Sequence, residues 1–291
     1  QAEDGIRDVE RSRGLGDVYK RQNYAQTSTS LASTLNMKYL NYLSETMENE
    51  SKDHGILYQM LDNNLVMRNF KSAGYQVYNI SSGAWNTGSV NIADEHFCSK
   101  NQNVDYRTLY QLKQTSILRA FDMLIKEPTS QIFHQQHRNI ILCQFDEITK
   151  IKQITEEPVF VFMHVITPHE PFVFGPNGEE VDYKYTLGPN VVTPFGPTSK
   201  FGLTTSEEIK AYRDQVIYVT KILRQTVDKL LENSDNPPII IIQSDTGPTV
   251  SFPGITKEES DIGRLSIFCL LYTSDAADEG LGVDLGGRRI I

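Results

Sequence analysis

Three short stretches hold residue types that could do chemistry together. "QTSTS" (Gln26 to Ser30) crowds hydroxyls in front of an apolar pattern with helical spacing. "HVITPHEPF" (His164 to Phe172) carries two histidines, and "SDTGP" (Ser244 to Pro248) carries an acid after an apolar run. A hydroxyl at a helix N-terminus, with an acid and histidines at strand ends, is a workable set for ester chemistry. The acid holds a divalent cation, the cation lowers the hydroxyl's pKa, and the helix end attracts an anionic substrate.

Those stretches need elements to position them. Leu31, Leu35, Tyr39, Leu43 and Met47 recur every four residues and predict one amphipathic helix from Ser28. Gly74 reads as a turn before a short strand, and residues 81–103 as a long polar surface loop. Helical spacing returns in "YRTLYQLKQTSILRAFDMLI", ended by Pro128, and again over residues 130–154. "PVFVFMHVI" and "PPIIIIQSD" are near-continuous apolar runs, which predict strands covered on both faces. Between them lie a Pro- and Gly-rich excursion over residues 167–203 and a long helix opening at Thr205, with Glu208 at capping-box spacing. "RLSIF" could start one more strand. Apolar strands alternating with long helices predict an α/β domain with a mainly parallel central sheet flanked by helices.

Composition excludes more than it specifies. With 28 Lys+Arg against 37 Asp+Glu, a net charge of −9 argues against nucleic acid as a partner. No run is long and apolar enough to cross a bilayer. Cys98 and Cys143 could form a disulfide or remain two buried thiols. The ends read differently from the middle. DNA that can encode "DVYKRQ" (Asp17 to Gln22) is the inverse complement of DNA that can encode "CLLYTS" (Cys269 to Ser274). Residues 1–22 and 269–291 are therefore expected to be adapter-derived rather than native, leaving residues 23–268 as a catalytic-domain fragment.

"NYAQTSTSLASTLNMKYL", "FVFMHVITPHEPFVFGPNG" and "PPIIIIQSDTGP", in this order, resemble the sulfatase-like branch of the alkaline phosphatase superfamily. The likeness is nearest to its membrane-anchored members, lipoteichoic-acid-synthase-like and phosphoethanolamine-transferase-like enzymes. It implies a metal-dependent hydrolase or transferase acting on sulfate or phosphate esters through a covalent intermediate. Thr27 matches the nucleophile, with Ser28 and Thr29 as cap and loop residues; read alone, Thr27 could equally be an N-cap threonine. Asp245 matches a metal ligand, and is otherwise a turn residue. Thr27 and Thr246 complete the implied metal set, although the family usually places histidine where Thr246 stands. His169 matches a substrate-side histidine, and His164 and Trp85 are further substrate-binding candidates; each could instead be structural.

The implied cofactor is a divalent ion (Zn, Mn, Mg or Ca). The implied partner is an anionic ester: a lipid head group, a phosphoglycerol polymer or a sulfated glycan. No Cys-x-Pro-x-Arg motif follows Gln26, which argues for phosphoryl over sulfate transfer. The family draws a further metal-binding acid from a strand upstream of the nucleophile helix, where this chain has "DVYKRQ". The expectation is an inactive, marginally stable chain whose parent is extracytoplasmic and joined to a membrane only through a missing N-terminal segment. A non-catalytic binder of a glycan or lipid head group is the alternative. The Asp-His-Gly of "KDHG" (Lys52 to Gly55) follows a polar helix end and reads as a C-terminal cap region. His134 and His137 read as a solvated helix face, and Asp94 and Glu95 as loop charges.

Overall fold

The computed structural model describes residues 16–17, 20–47, 54–83, 87–99, 128–155, 157–181, 205–234, 236, 238–248 and 253–272. Helix α1 (Thr27–Leu35) is shorter than its periodicity predicts. The Asn36 side chain folds back to donate to the carbonyls of Ala32 (2.9 Å) and Met60 (3.1 Å). Met37 then takes a left-handed backbone, φ 49°. These local bonds compete with further helix, so the apolar pattern resumes only in the short α2 (Leu43–Thr46). Helices α3 (Gly55–Asp62) and α4 (Leu65–Ser72) follow. His54 occupies the position before α3, so "KDHG" leads into a helix rather than closing one. Ala32, Leu40, Leu57 and Leu61 close the core between α1 and α3.

Gly74, with φ +88°, makes the turn from α4 into the next strand, the residue type a left-handed backbone requires. Two short strands precede α1: β1 (Gly16–Asp17) and β2 (Lys20–Arg21). β3 (Gln76–Ile80) pairs in parallel with β4 (Glu95–Phe97) on one side and β5 (Val159–Met163) on the other. β4 is a departure from the expected loop: three residues, two of them polar, carry too little pattern to announce a strand. Asp94, expected as a loop charge, accepts from the Val77 amide at 2.8 Å and pairs with Lys71 at 2.7 Å, which draws its carboxyl below the usual range.

Helix α5 (Pro128–Glu147) runs into a 3₁₀ turn (Ile148–Gln153), with Pro128 inside the helix start. Proline is tolerated in a first turn because it has no amide hydrogen to leave unpaired. The preceding predicted helix, residues 106–125, lies outside the described residues. Cys98 and Cys143 form a disulfide that pins the end of β4 to α5, closing the alternative left open by the sequence.

Helix α6 (Thr205–Glu232) packs Tyr218, Val219, Ile222 and Leu223 against Ile141, Phe145, Val173 and Phe174. β6 (Ile240–Gln243), α7 (Lys257–Leu265), β7 (Ser266–Ile267) and β8 (Cys269–Tyr272) complete the order. β8 pairs antiparallel with β6 and β1, and β7 with β2. The chain is an α/β fold with parallel strands and flanking helices, as expected. Its apolar strands are less covered than expected, however. Ile239 and Ile241 are 71% and 65% exposed, and among the described residues β6 pairs along one edge only.

This unequal burial predicts unequal mutational cost. Ile80→Ala empties a fully buried site and is expected to cost about 2–5 kcal/mol. Ile241→Thr should change stability by only about 0.5 kcal/mol. Urea unfolding of both variants checks the contrast.

Candidate functional site

Local hydrogen bonding accounts for three of the four hydroxyls that open α1. Ser28 Oγ lies 3.3 Å from His54 Nδ1. Thr29 Oγ1 donates to the Gln26 carbonyl at 2.9 Å, and Ser30 Oγ to the Asp245 carbonyl at 2.7 Å. Among the described residues Thr27 has no hydrogen-bond partner for its hydroxyl. The residue before the helix, Gln26, is extended and supplies no side-chain cap. The first amides of α1 are thus open to an anion, at the positive end of the helix dipole.

Ser30 also explains how Asp245 comes to this place. Ser30 and Thr27 are three apart and share a face of α1, so the Ser30 bond sets the Asp245 turn beside Thr27. Arg264, at the end of α7, donates to the Ala25 carbonyl (2.6 Å), while its own carbonyl accepts from the Gly247 amide (2.7 Å). A Cβ on Gly247 would lie 2.0 Å from the Gly263 carbonyl oxygen, so glycine is required by close approach of backbone. Asp245 Oδ2 is buried and has no hydrogen-bond partner among the described residues. The Thr246 hydroxyl is likewise without a partner among the described residues.

The third stretch arrives from the end of β5. His164 Nδ1 lies 2.7 Å from Thr87 Oγ1, and Gln144 of α5 donates to the His164 carbonyl at 2.8 Å. Burial favours the neutral ring and lowers the His164 pKa; the Asp245 charge opposes this, and His169 adds to it. Asp245 and His169 thus both lie close enough to His164 to act on its ring by charge. His169 is exposed, and its Nδ1 lies 2.6 Å from the Glu170 carbonyl. A carbonyl only accepts, so Nδ1 is the donor here, and in the neutral ring the acceptor is Nε2. Gln215 of α6 holds this loop by donating to the His169 carbonyl (3.2 Å) and accepting from the Val173 amide (2.8 Å). Both X–Pro bonds beside His169, Thr167–Pro168 and Glu170–Pro171, are cis.

The structure therefore brings Thr27, Asp245, Thr246, His164 and His169 to one end of the fold. Trp85 lies outside the described residues. Ser30, Thr87, Gln215 and Arg264 were not singled out by sequence; only Ser30 left a signal, its helical spacing from Thr27. Among the described residues no group of three His, Cys, Asp or Glu side chains is poised to hold a metal.

Comparison with known proteins follows this geometry. The family model described as Sulfatase matches residues 17–277. The chain belongs to the sulfatase family. That family generally uses a divalent metal ion. A search of the curated proteins gives no match. Among solved structures, one described as "Ps i-CgsB in complex with k-i-k-neocarrahexaose" is similar, at 13% identity and a TM-score of 0.48. The alignment covers 94% of this chain and 60% of that one. No helix among the described residues of this family member is long and apolar enough to cross a membrane.

His137 corrects the expected solvated face. It is 5% exposed, and burial, with the charges of His169 and His134, pushes its pKa down to about 3. A histidine with a depressed folded pKa binds fewer protons folded than unfolded between that value and the ordinary 6.5. Stability is then full above about pH 6.5 and falls as pH drops. A loss on the order of 1–2 kcal/mol is expected between pH 6.5 and pH 5. Melting temperatures of wild type and His137→Gln across this window test it; the variant should show a flatter profile.

Proposed function

We propose that the chain is built for metal-dependent hydrolysis or transfer of sulfate or phosphate esters, with Thr27 as nucleophile. The observation that carries this reading is the uncommitted Thr27 hydroxyl on the helix face that Ser30 ties to Asp245. In the step envisaged, Thr27 Oγ forms a bond to sulfur or phosphorus while the bond to the leaving oxygen breaks. The hydroxyl proton passes to a base, and the leaving oxygen takes up a proton. His169 and His164 contact the transferred group and its leaving oxygen, and the open amides of α1 receive its negative oxygens.

A divalent cation suits the oxygens present. A buried carboxylate oxygen without a partner is costly unless a cation or donor meets it. Asp245, with the hydroxyls of Thr27 and Thr246, would hold that ion. Bound there, it would supply charge that lowers the hydroxyl's pKa and neutralises the ester. An all-oxygen donor set suits Mg, Ca or Mn better than Zn. Threonine at 246 in place of imidazole makes the site weak, so turnover by this chain is expected to be slow or absent.

The chemistry of the site selects an anionic ester: a sulfated glycan, a phosphoglycerol polymer or a lipid head group. The Cys98–Cys143 disulfide supports an extracytoplasmic setting, because such bonds persist in oxidising compartments. A membrane-anchored parent, with residues 1–22 and 269–291 foreign to it, belongs to the same proposal.

The test combines metal analysis with hydrolysis of para-nitrophenyl sulfate and bis(para-nitrophenyl) phosphate. Stoichiometric metal should be lost in Asp245→Ala. Any turnover should fall by at least roughly a thousandfold in Thr27→Ala and rise in Thr246→His. Absence of metal and of turnover in wild type and Thr246→His, with retained binding of a sulfated glycan, would overturn catalysis in favour of a non-catalytic binder.

A further inference from the structure

Two buried hydroxyls have no part in the chemistry above. β3 delivers the chain to Ser82, which is 2% exposed, and the chain returns at Thr87, which is 1% exposed. Their oxygens lie 2.7 Å apart, and Thr87 Oγ1 is also 2.7 Å from His164 Nδ1. Burying hydroxyls is unfavourable unless they are hydrogen-bonded, and valine would fill the Thr87 position without that demand. The pair therefore serves the ring it touches.

A neutral imidazole carries one proton on one of two nitrogens, and the partner of one nitrogen decides the role of the other. Burial favours the neutral form of His164. The Asp245 carboxylate acts on the ring through its charge, yet the two side chains form no hydrogen bond. A neutral histidine ring intrinsically favours the Nε2–H form, and the Thr87 hydroxyl can donate as well as accept, so the 2.7 Å contact is satisfied in that form. Nδ1 is then the acceptor, and Thr87 the donor. Gln144, bonded to the His164 carbonyl, fixes the backbone from which the ring projects.

We infer that Thr87, backed by Ser82, is a positioning residue that locks His164 as the Nε2–H tautomer and so makes it a donor to a tetrahedral oxyanion. The identity of that oxyanion, sulfate or phosphate, rests on the ester reading; the tautomer does not. This gives the two histidines opposite roles. His164 donates from Nε2, and His169 accepts at Nε2.

The experiment uses the full chain labelled with ¹⁵N-histidine, read by long-range ¹H–¹⁵N correlation. The His164 signal is identified by its loss in His164→Asn. Wild type and Thr87→Ser should show one tautomer, protonated on Nε2. Thr87→Val should show a mixture or the other tautomer at unchanged melting temperature. In parallel, inorganic sulfate should bind about five- to tenfold more weakly to Thr87→Val than to Thr87→Ser, the effect of one hydrogen bond. Should Thr87→Val fail to fold, Ser82→Ala provides the same readout with one link of the chain removed. A wild-type ring protonated on Nδ1, or a tautomer indifferent to Thr87→Val, overturns the proposal. Tautomer control without any sulfate or phosphate binding upholds the positioning role and overturns the ester reading instead.

Discussion

The hydrogen bond from Ser30 Oγ to the Asp245 carbonyl is the constraint on which the site depends. It joins residues 215 positions apart, one on the first turn of α1 and one in the turn after β6. A bond of this kind contributes about 1 kcal/mol of net stability, too little to hold two elements by itself. Its force lies in company. Arg264 grips the Ala25 carbonyl on the near side of α1 and presents its own carbonyl to Gly247. Ser244 donates its amide to Phe268 at 2.9 Å, and Gln22 reaches the Ser244 carbonyl at 3.3 Å. The helix end and the acid are thus held through backbone atoms. This leaves the side chains of Thr27, Asp245 and Thr246 uncommitted.

Polar atoms left unsatisfied in the free protein oppose folding. The fold here offsets this cost with neighbours that are fully bonded. Ser28, Thr29 and Ser30 all have partners, as do Thr87 and Gln215, while Asp245 Oδ2 stays orphaned. The same division runs through the histidines. His137 is a buried, neutral residue of α5 itself, whereas His169 is exposed on a loop that Gln215 and Arg138 clamp from α6 and α5. Of these two, only His169 presents its ring at the surface.

The sequence was legible where chemistry and periodicity coincide. "QTSTS", "TPHEP" and "SDTGP" end up at one end of the fold because each lies at an element boundary that apolar patterning reveals. What it hid were interactions made across the chain. Asn36 ends α1 by bonding to α3 as well as to its own helix, so Leu43 and Met47 keep the spacing of a helix that has already stopped. β4 is stabilised by parallel pairing to β3, not by its own three residues. "KDHG" reads as a helix end because it follows a polar stretch, whereas Ser28, which His54 meets, is 26 residues away. Thr87 carried no local signal at all, since its meaning comes from a histidine 77 residues further on.

The apolar runs teach a related lesson about strands. "IIII" predicts cover on both faces, and the structure leaves Ile239 and Ile241 largely open. Each isoleucine left exposed forgoes about 1.5–3 kcal/mol that burial would contribute. A four-residue strand bearing one such side chain, Ile241, directly after the exposed Ile239, is therefore stabilised mainly by its ladder to β8. β8 is "CLLY", within residues 269–291, which are proposed above to be foreign. If that segment is foreign, its leucines still satisfy β6, because a ladder asks only for free backbone groups and apolar side chains in register. Pairing with β6 is thus compatible with either origin. The positioning of Asp245, which follows β6 directly, relies on that pairing whatever its source.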